Sequence, residues 1–169
     1  MHPDDITDGS AADSTNDHHD AGWDDGWDDG RTAARFEQVV DLDATIESAW
    51  AALSDPGELA RWLGSSVELD VRPGGRGRVV DDDGTVREVL VTAVDDRQAI
   101  AWHWWSDDGE LSSVELRIDE CDGHTRLHIV EMLVPGPHAD ERSSIARCSR
   151  RWTAATSRLW RHVGVAAFA

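Results

Sequence analysis

A chain of 169 residues favours one domain and allows a sizeable core. Its formal net charge of −18, from 34 acidic against 16 basic residues, excludes the electrostatics of nucleic-acid binding and of adhesion to an anionic membrane. No apolar run approaches the roughly 18 residues of a membrane-spanning helix, so no membrane partner is expected.

All 16 basic residues are arginine. The absence of lysine reads as a bias of the genome, with adaptation to high salt as the second reading, and it removes Schiff-base chemistry. The acidic, polar N-terminus does not read as a secretory signal. Cys121 and Cys148 lie far apart, outside any metal or redox spacing, so two buried thiols in a cytoplasmic protein are expected.

Residues 1–32 read as a disordered acidic tail, with ten aspartates and hardly any aliphatic side chain to offset the entropy of ordering. It carries a short duplication, Gly22-Trp-Asp-Asp-Gly26-Trp-Asp-Asp-Gly30, whose Trp23 and Trp27 would suit a docking turn. The pair His18-His19 has nothing to fix its geometry and is not a metal site. The folded domain is expected over 33–165.

Arg35 to Leu42 alternates as a strand. Thr45 then starts a short helix with Ile46, Ala49, Trp50 and Leu53 on its apolar face. Pro56 opens a second, expected over Glu58 to Leu63, with Leu59, Trp62 and Leu63 apolar and Gly64 as its stop. From Val67 the period becomes two. Six strands follow, near 67–71, 76–81, 85–94, 99–105, 111–119 and 125–133, separated by close-set Asp-Gly and Gly-Gly turns that indicate an antiparallel meander. Asp81-Asp82-Asp83-Gly84 lacks calcium-loop spacing and reads as one of those turns. Pro135-Gly136-Pro137 breaks the sheet.

The last segment, Asp140 to about Val163, places Ile145, Cys148, Trp152, Ala155, Leu159 and Val163 at steps of three and four. That is one apolar stripe on a long helix, with Arg147, Arg150, Arg151, Arg158 and Arg161 largely off it. A sheet apolar on one face needs a cover, and this helix supplies it. The fold class expected is therefore α+β, in the order β-α-α-β6-α, with a curved antiparallel sheet around the C-terminal helix.

An ordered series of segments then carries a family resemblance. It runs through Ile46-Glu-Ser-Ala-Trp50-Ala-Ala-Leu53-Ser-Asp-Pro56, Leu59-Ala-Arg-Trp62-Leu-Gly64, Arg72-Pro-Gly-Gly75-Arg and Asp83-Gly-Thr-Val-Arg-Glu-Val89. It continues through Val94-Asp95, Ile100-Ala-Trp102-His-Trp104, Gly123-His-Thr-Arg-Leu127 and the Trp152 to Leu159 part of the last helix. The chain resembles the SRPBCC or START-like superfamily, the helix-grip (START/Bet v 1-like) fold, and within it the bacterial relatives of the activator of Hsp90 ATPase. The pattern departs at Gly77, where such proteins usually carry an apolar residue, and at Glu131, where many carry histidine.

The resemblance implies an elongated, mainly apolar cavity between the sheet and the last helix, with a small hydrophobic molecule as partner, no cofactor and no established catalysis. Trp102, Trp104, Val114, Leu116, Leu127 and Ile129 would line it from the sheet, and Cys148, Trp152 and Ala155 from the helix. Trp62 and Leu63 would close one end. The alternative is that the tryptophans fill this space as solid core.

Glu131 shares the inward face with Leu127, Ile129 and Leu133, where a carboxylate is costly unless paired or protonated. It is the one catalytic candidate, as a base in cyclase or hydrolase chemistry or as a ligand anchor; pairing with an arginine, or a place at a wet groove mouth, is the competing reading. His103 and His128 alternate outward. A third function class is a protein-interaction module, co-chaperone-like or regulatory, using the arginines of the last helix and the acidic tail.

Overall fold

The computed structural model describes residues 33–134, 136 and 138–166. The acidic tail, with Trp23, Trp27 and the histidine pair, lies outside the described residues. The chain forms β1 (Ala34–Leu42), α1 (Ile46–Ser54), α2 (Pro56–Leu59), β2 (Ser66–Leu69), β3 (Arg76–Val80), β4 (Val86–Asp95), β5 (Ala99–Ser106), β6 (Leu111–Cys121), β7 (His124–Val134) and α3 (Glu141–Ala166).

One sheet holds all seven strands in the order β1-β7-β6-β5-β4-β3-β2, every pair antiparallel. The meander is as expected, and β1 joins it by pairing with β7, placing Phe36 opposite Glu131 and Gln38 opposite Ile129. Asp122 and Gly123 make the β6–β7 turn at φ of 53° and 79°, the paired positive values of a two-residue hairpin whose twist suits its strands. The sheet is curved, and α3 lies along its inner side, against β1 and α1.

Local chemistry sets the boundaries. Thr45 Oγ1 accepts the Ser48 amide at the start of α1. Asp55 Oδ1 accepts the amides of Gly57 and Glu58 at 2.8 and 3.0 Å, starting α2 on Pro56. The expected second helix, Glu58 to Leu63, is therefore corrected to an earlier and shorter one. Past Leu59 the chain turns rather than continuing, and Trp62 is held instead by its indole, which donates to the Ala52 carbonyl at 2.8 Å. Asp140 Oδ1 accepts the Ser143 amide at 2.9 Å and starts α3.

At Gly77 a Cβ would meet the Glu68 carbonyl oxygen at 2.1 Å and Leu69 Cα at 2.6 Å. The backbone of β2 occupies the place a side chain at 77 would take, so glycine is what lets β2 and β3 approach.

The inward faces merge into one core of buried apolar residues, from Leu42 on β1 to Val163 on α3. Among its largest members are Trp62, Trp102, Trp104 and Trp152, each no more than 1% exposed. The stripe on α3 stands as expected from Cys148 to Val163. Two corrections apply near its start. Ser144 is buried where Ile145 was expected, and Arg151 is not off the stripe: its side chain is 8% exposed. Of the two thiols, Cys148 is buried but Cys121, at the end of β6, is only half-buried.

Candidate functional site

Strand alternation turns Glu131 inward from β7, and α3 closes over it at 0% exposure. Five contacts satisfy its two oxygens. Trp104 Nε1–H donates to Oε1 at 3.2 Å and Trp152 Nε1–H to Oε2 at 2.6 Å. Arg151 Nη2 donates to both, at 2.7 and 2.8 Å, and the Cys148 thiol reaches Oε2 at 3.1 Å. The indoles of Trp104 and Trp152 stack at 5.9 Å with 29° between planes, so both N–H groups converge on one carboxylate. Burial alone would push the Glu131 pKa up; the Arg151 charge and the hydrogen bonds from Trp152 and Cys148 outweigh it and bring it to about 2. Cys148 goes the other way, raised by burial and then by the neighbouring carboxylate.

Ion pairs continue outward from this point. Arg151 Nη1 stands 3.8 Å from Asp81 Oδ2, which accepts from Arg87 Nε at 2.8 Å. Arg87 Nη2 pairs with Glu110 at 2.9 Å, and Glu110 with Arg147 at 2.9 Å. The guanidinium groups of Arg151 and Arg87 lie 4.8 and 5.2 Å from the Trp104 ring centroid. Three carboxylates and three guanidiniums thus alternate from β7 through α3 to the β3–β4 and β5–β6 hairpins. Buried charge is tolerated only when paired in this way. The pairing is incomplete: Asp81 Oδ1, Arg87 Nη1, Arg147 Nε and Arg151 Nε are buried with no partner among the described residues.

The chain of charges ends at a groove of about 250 Å³ between α3 and the β3–β4 hairpin. Its walls carry five arginines and three aspartates, and Leu63 and Ala154 supply its apolar surface. Arg158 bridges its far end, donating to the Trp62 carbonyl at 2.9 Å and pairing with Asp82 at 2.7 Å. Asp83 folds back on its own turn, where its Oδ1 accepts the Thr85 amide at 2.9 Å. This turn is the hairpin expected at Asp81-Asp82-Asp83-Gly84.

All twelve residues expected to line a ligand cavity are brought together, and none is more than 2% exposed. Trp62, Leu63, Trp102, Trp104, Val114 and Leu116 pack in the same core as Leu127, Ile129, Cys148, Trp152 and Ala155, with Glu131 among them. Of these, Leu63 also borders the polar groove. Glu131 faces inward as the alternation required, and an arginine meets it.

Sequence reasoning missed Asp81, Arg87, Glu110 and Arg147, and put Arg151 on the wrong face. For Arg87 a signal existed: it shares the inward phase of β4 with Val89 and Val91. Val86 and Leu90 make the opposite face of the strand equally apolar, so alternation alone does not assign its inner side; a bulge follows between Val91 and Ala93. Glu88 then falls on the other side, where it pairs with Arg78 at 2.9 Å. His128 faces outward as expected, 2.8 Å from Asp119.

Known proteins place this architecture. Residues 43–164 match the family described as Activator of Hsp90 ATPase homolog 1-like protein. No curated protein matches the sequence significantly. Among solved structures, DynU16, a protein of the dynemicin biosynthetic locus, is 21% identical with a TM-score of 0.66, covering 77% of this chain and 47% of its own. The chain thus spans about half the length of that protein. The Aha1 dimer from Colwellia psychrerythraea is 13% identical with a TM-score of 0.61, covering 77% and 96%. PFC0360w, an HSP90 activator from Plasmodium falciparum, is 22% identical with a TM-score of 0.59, covering 70% and 87%. These likenesses share the helix-grip fold, and the match over 43–164 settles the lineage: the chain belongs to the family of Activator of Hsp90 ATPase homolog 1-like proteins.

Proposed function

We propose that the domain at 33–165 is a non-enzymatic binding module that takes a small molecule between the curved sheet and α3, at the mouth of the groove rather than within the core. The supporting observation is the groove of about 250 Å³, walled by charged side chains and floored by Leu63 and Ala154. The interior, where a wholly hydrophobic ligand was expected, is occupied by Trp62, Trp102, Trp104 and Trp152. A ligand seated there would have to displace close-packed rings, whereas one at the mouth displaces water. Glu131 fits this reading better than a catalytic one. A carboxylate with a pKa near 2 and five contacts is a poor proton acceptor at neutral pH.

The test is a panel of small aromatic and aliphatic compounds, neutral and charged, followed by thermal shift and native mass spectrometry. Saturable stabilisation by any of them, abolished by Ala154→Leu, is the expected result. A panel that leaves melting temperature and mass unchanged overturns the proposal.

A second reading, a co-chaperone-like interaction surface, draws on Trp160, which is 54% exposed on the outer side of α3. The acidic segment 1–32 would be its other element. Trp160→Asp, or deletion of 1–32, would then abolish pull-down of an Hsp90-type chaperone without changing the melting temperature. Undiminished pull-down by both variants would remove this reading.

A further inference from the structure

The groove is not evenly charged at the atoms a ligand would meet. Arg147, Arg151, Ala154 and Arg158 form one helical row at steps of four, three and four, and Ala154 is its single small member. A long side chain at 154 would close the groove; alanine leaves it open. Along this row each arginine has carboxylate partners: Arg147 has Glu110 and Asp108, Arg151 has Glu131 and Asp81, and Arg158 has Asp82. Arg150, beside the row and lining the same groove, is exposed and has no acidic partner among the described residues. The aspartates of the rim are engaged, Asp82 by Arg158 and Asp83 by its own turn. Among the described residues Arg150 is therefore the one groove cation outside an ion pair, and Asp83, the groove's only unpaired anion, is tied to its own turn.

In the buried wall, unpartnered donors outnumber acceptors. Arg87, which lines the groove, is 3% exposed, and its Nη1 has no acceptor. The side chain of Arg151 is 8% exposed, and its Nε lacks an acceptor too, as does Nε of Arg147. Against these three cationic N–H donors stands one unpartnered acceptor, Asp81 Oδ1. These guanidiniums stand behind the groove surface as fixed positive charge in a low dielectric, which favours an anionic oxygen at the mouth over a neutral one.

We infer that the groove recognises its ligand through an oxyanion, a carboxylate or a phosphate, held against Arg150 and the arginine wall, with a small apolar body resting on Leu63 and Ala154. This rests on the small-molecule reading above and names the ligand's chemistry. Two buried arginines already paired within the fold, Arg87 and Arg151, set the back of the site. Arg150 sets its front and is free to be changed.

The experiment uses the full chain at low ionic strength with four aromatic probes of one size class, benzoate, phenyl phosphate, benzyl alcohol and benzylamine, and with inorganic phosphate as the head group alone. Titration calorimetry and melting temperature are read together. Benzoate or phenyl phosphate should bind saturably, and whichever is tighter identifies the head group. Benzyl alcohol and benzylamine should not bind. Arg150→Glu should weaken the anionic probe about tenfold or more, and Ala154→Leu should abolish it, with the unliganded melting temperature of both variants near that of the parent.

Binding of benzyl alcohol equal to that of benzoate, and unchanged in Arg150→Glu, would overturn the oxyanion while leaving a small-molecule site intact. Inorganic phosphate binding as tightly as phenyl phosphate, with both indifferent to Ala154→Leu, would mean surface adsorption only and overturn the inference. No binding by any probe would overturn the inference and the small-molecule reading together.

Discussion

The inward face of α3 changes character half-way along its length. From Ser144 to Trp152 it meets charge: Cys148, Arg151 and Trp152 all end on Glu131. From Ala155 to Val163 it joins an apolar core shared with Leu53, Leu59 and Trp62. The two halves are equally buried but stabilised differently. Apolar packing yields in proportion to the volume removed. A buried ion pair does not, because losing one partner strands the other in a low dielectric. The ionic half is held by correct pairing and the apolar half by fit.

The largest effect should come from breaking the pairing. Glu131→Leu leaves Arg151 buried with only Asp81, at 3.8 Å and already held by Arg87, to face its charge, and is expected to cost about 3–5 kcal/mol in denaturant unfolding. The double variant Glu131→Leu/Arg151→Met removes both charges and should recover most of that loss, since Asp81 keeps Arg87 as a partner at 2.8 Å. A double variant no more stable than the single one would show that the carboxylate acts through its indole contacts instead. In the apolar half, Leu159→Ala should cost roughly 3 kcal/mol and Leu159→Met less than about 1.5 kcal/mol. The contrast is sharpest with the near-isosteric Glu131→Gln, which keeps volume and should still be costly; a loss as small as that of Leu159→Met would erase the distinction.

Acid should distinguish the halves next. The Glu131 pKa is about 2 in the folded protein against an ordinary 4.5. A depressed carboxylate contributes stability above its unfolded pKa and loses it as pH falls through its folded one. The wild type should therefore lose stability from about pH 4.5 down toward pH 2 more steeply than Glu131→Gln. Exposed Asp83, Asp108 and Asp140, whose pKa values are also lowered, titrate in both proteins and cancel in the difference. Parallel melting curves across that window would assign the acid sensitivity to those surface groups.

The same division explains what the sequence could convey. Elements built by apolar periodicity were legible: the strands, α1 and the stripe from Cys148 to Val163 follow from where Trp, Leu, Ile and Val recur. Glu131 was legible as inward-facing because a strand's period of two does not depend on what a residue is. Its partner was not. Arg151 sits next to Trp152 in a run of arginines, and only the distance across the sheet singles it out. Arg87 keeps the inward phase of Val89 and Val91, but Val86 and Leu90 make the opposite face of β4 equally apolar, and Glu110 stands at a hairpin end where alternation gives no guide. The charged wall of the groove depends on contacts between residues distant in sequence, and periodicity carries no information about those.

The smallest effect is one of rate, and it tests whether the ionic half opens by itself. Cys148 is 1% exposed, and its thiolate is disfavoured first by burial and then by the Glu131 charge. Cys121, half-buried at the end of β6, has neither degree of enclosure nor that neighbour. A disulfide-exchange reagent at neutral pH should label Cys121 within minutes, and Cys148 only as fast as the protein unfolds globally. Cys121→Ser should leave the slow phase alone. Glu131→Gln lowers the barrier over Cys148 in two ways, by loosening the helix and by removing the repelling charge, so its slow phase should quicken. If Cys148 in the wild type reacts faster than global unfolding, α3 lifts locally over its charged half while the apolar half stays seated.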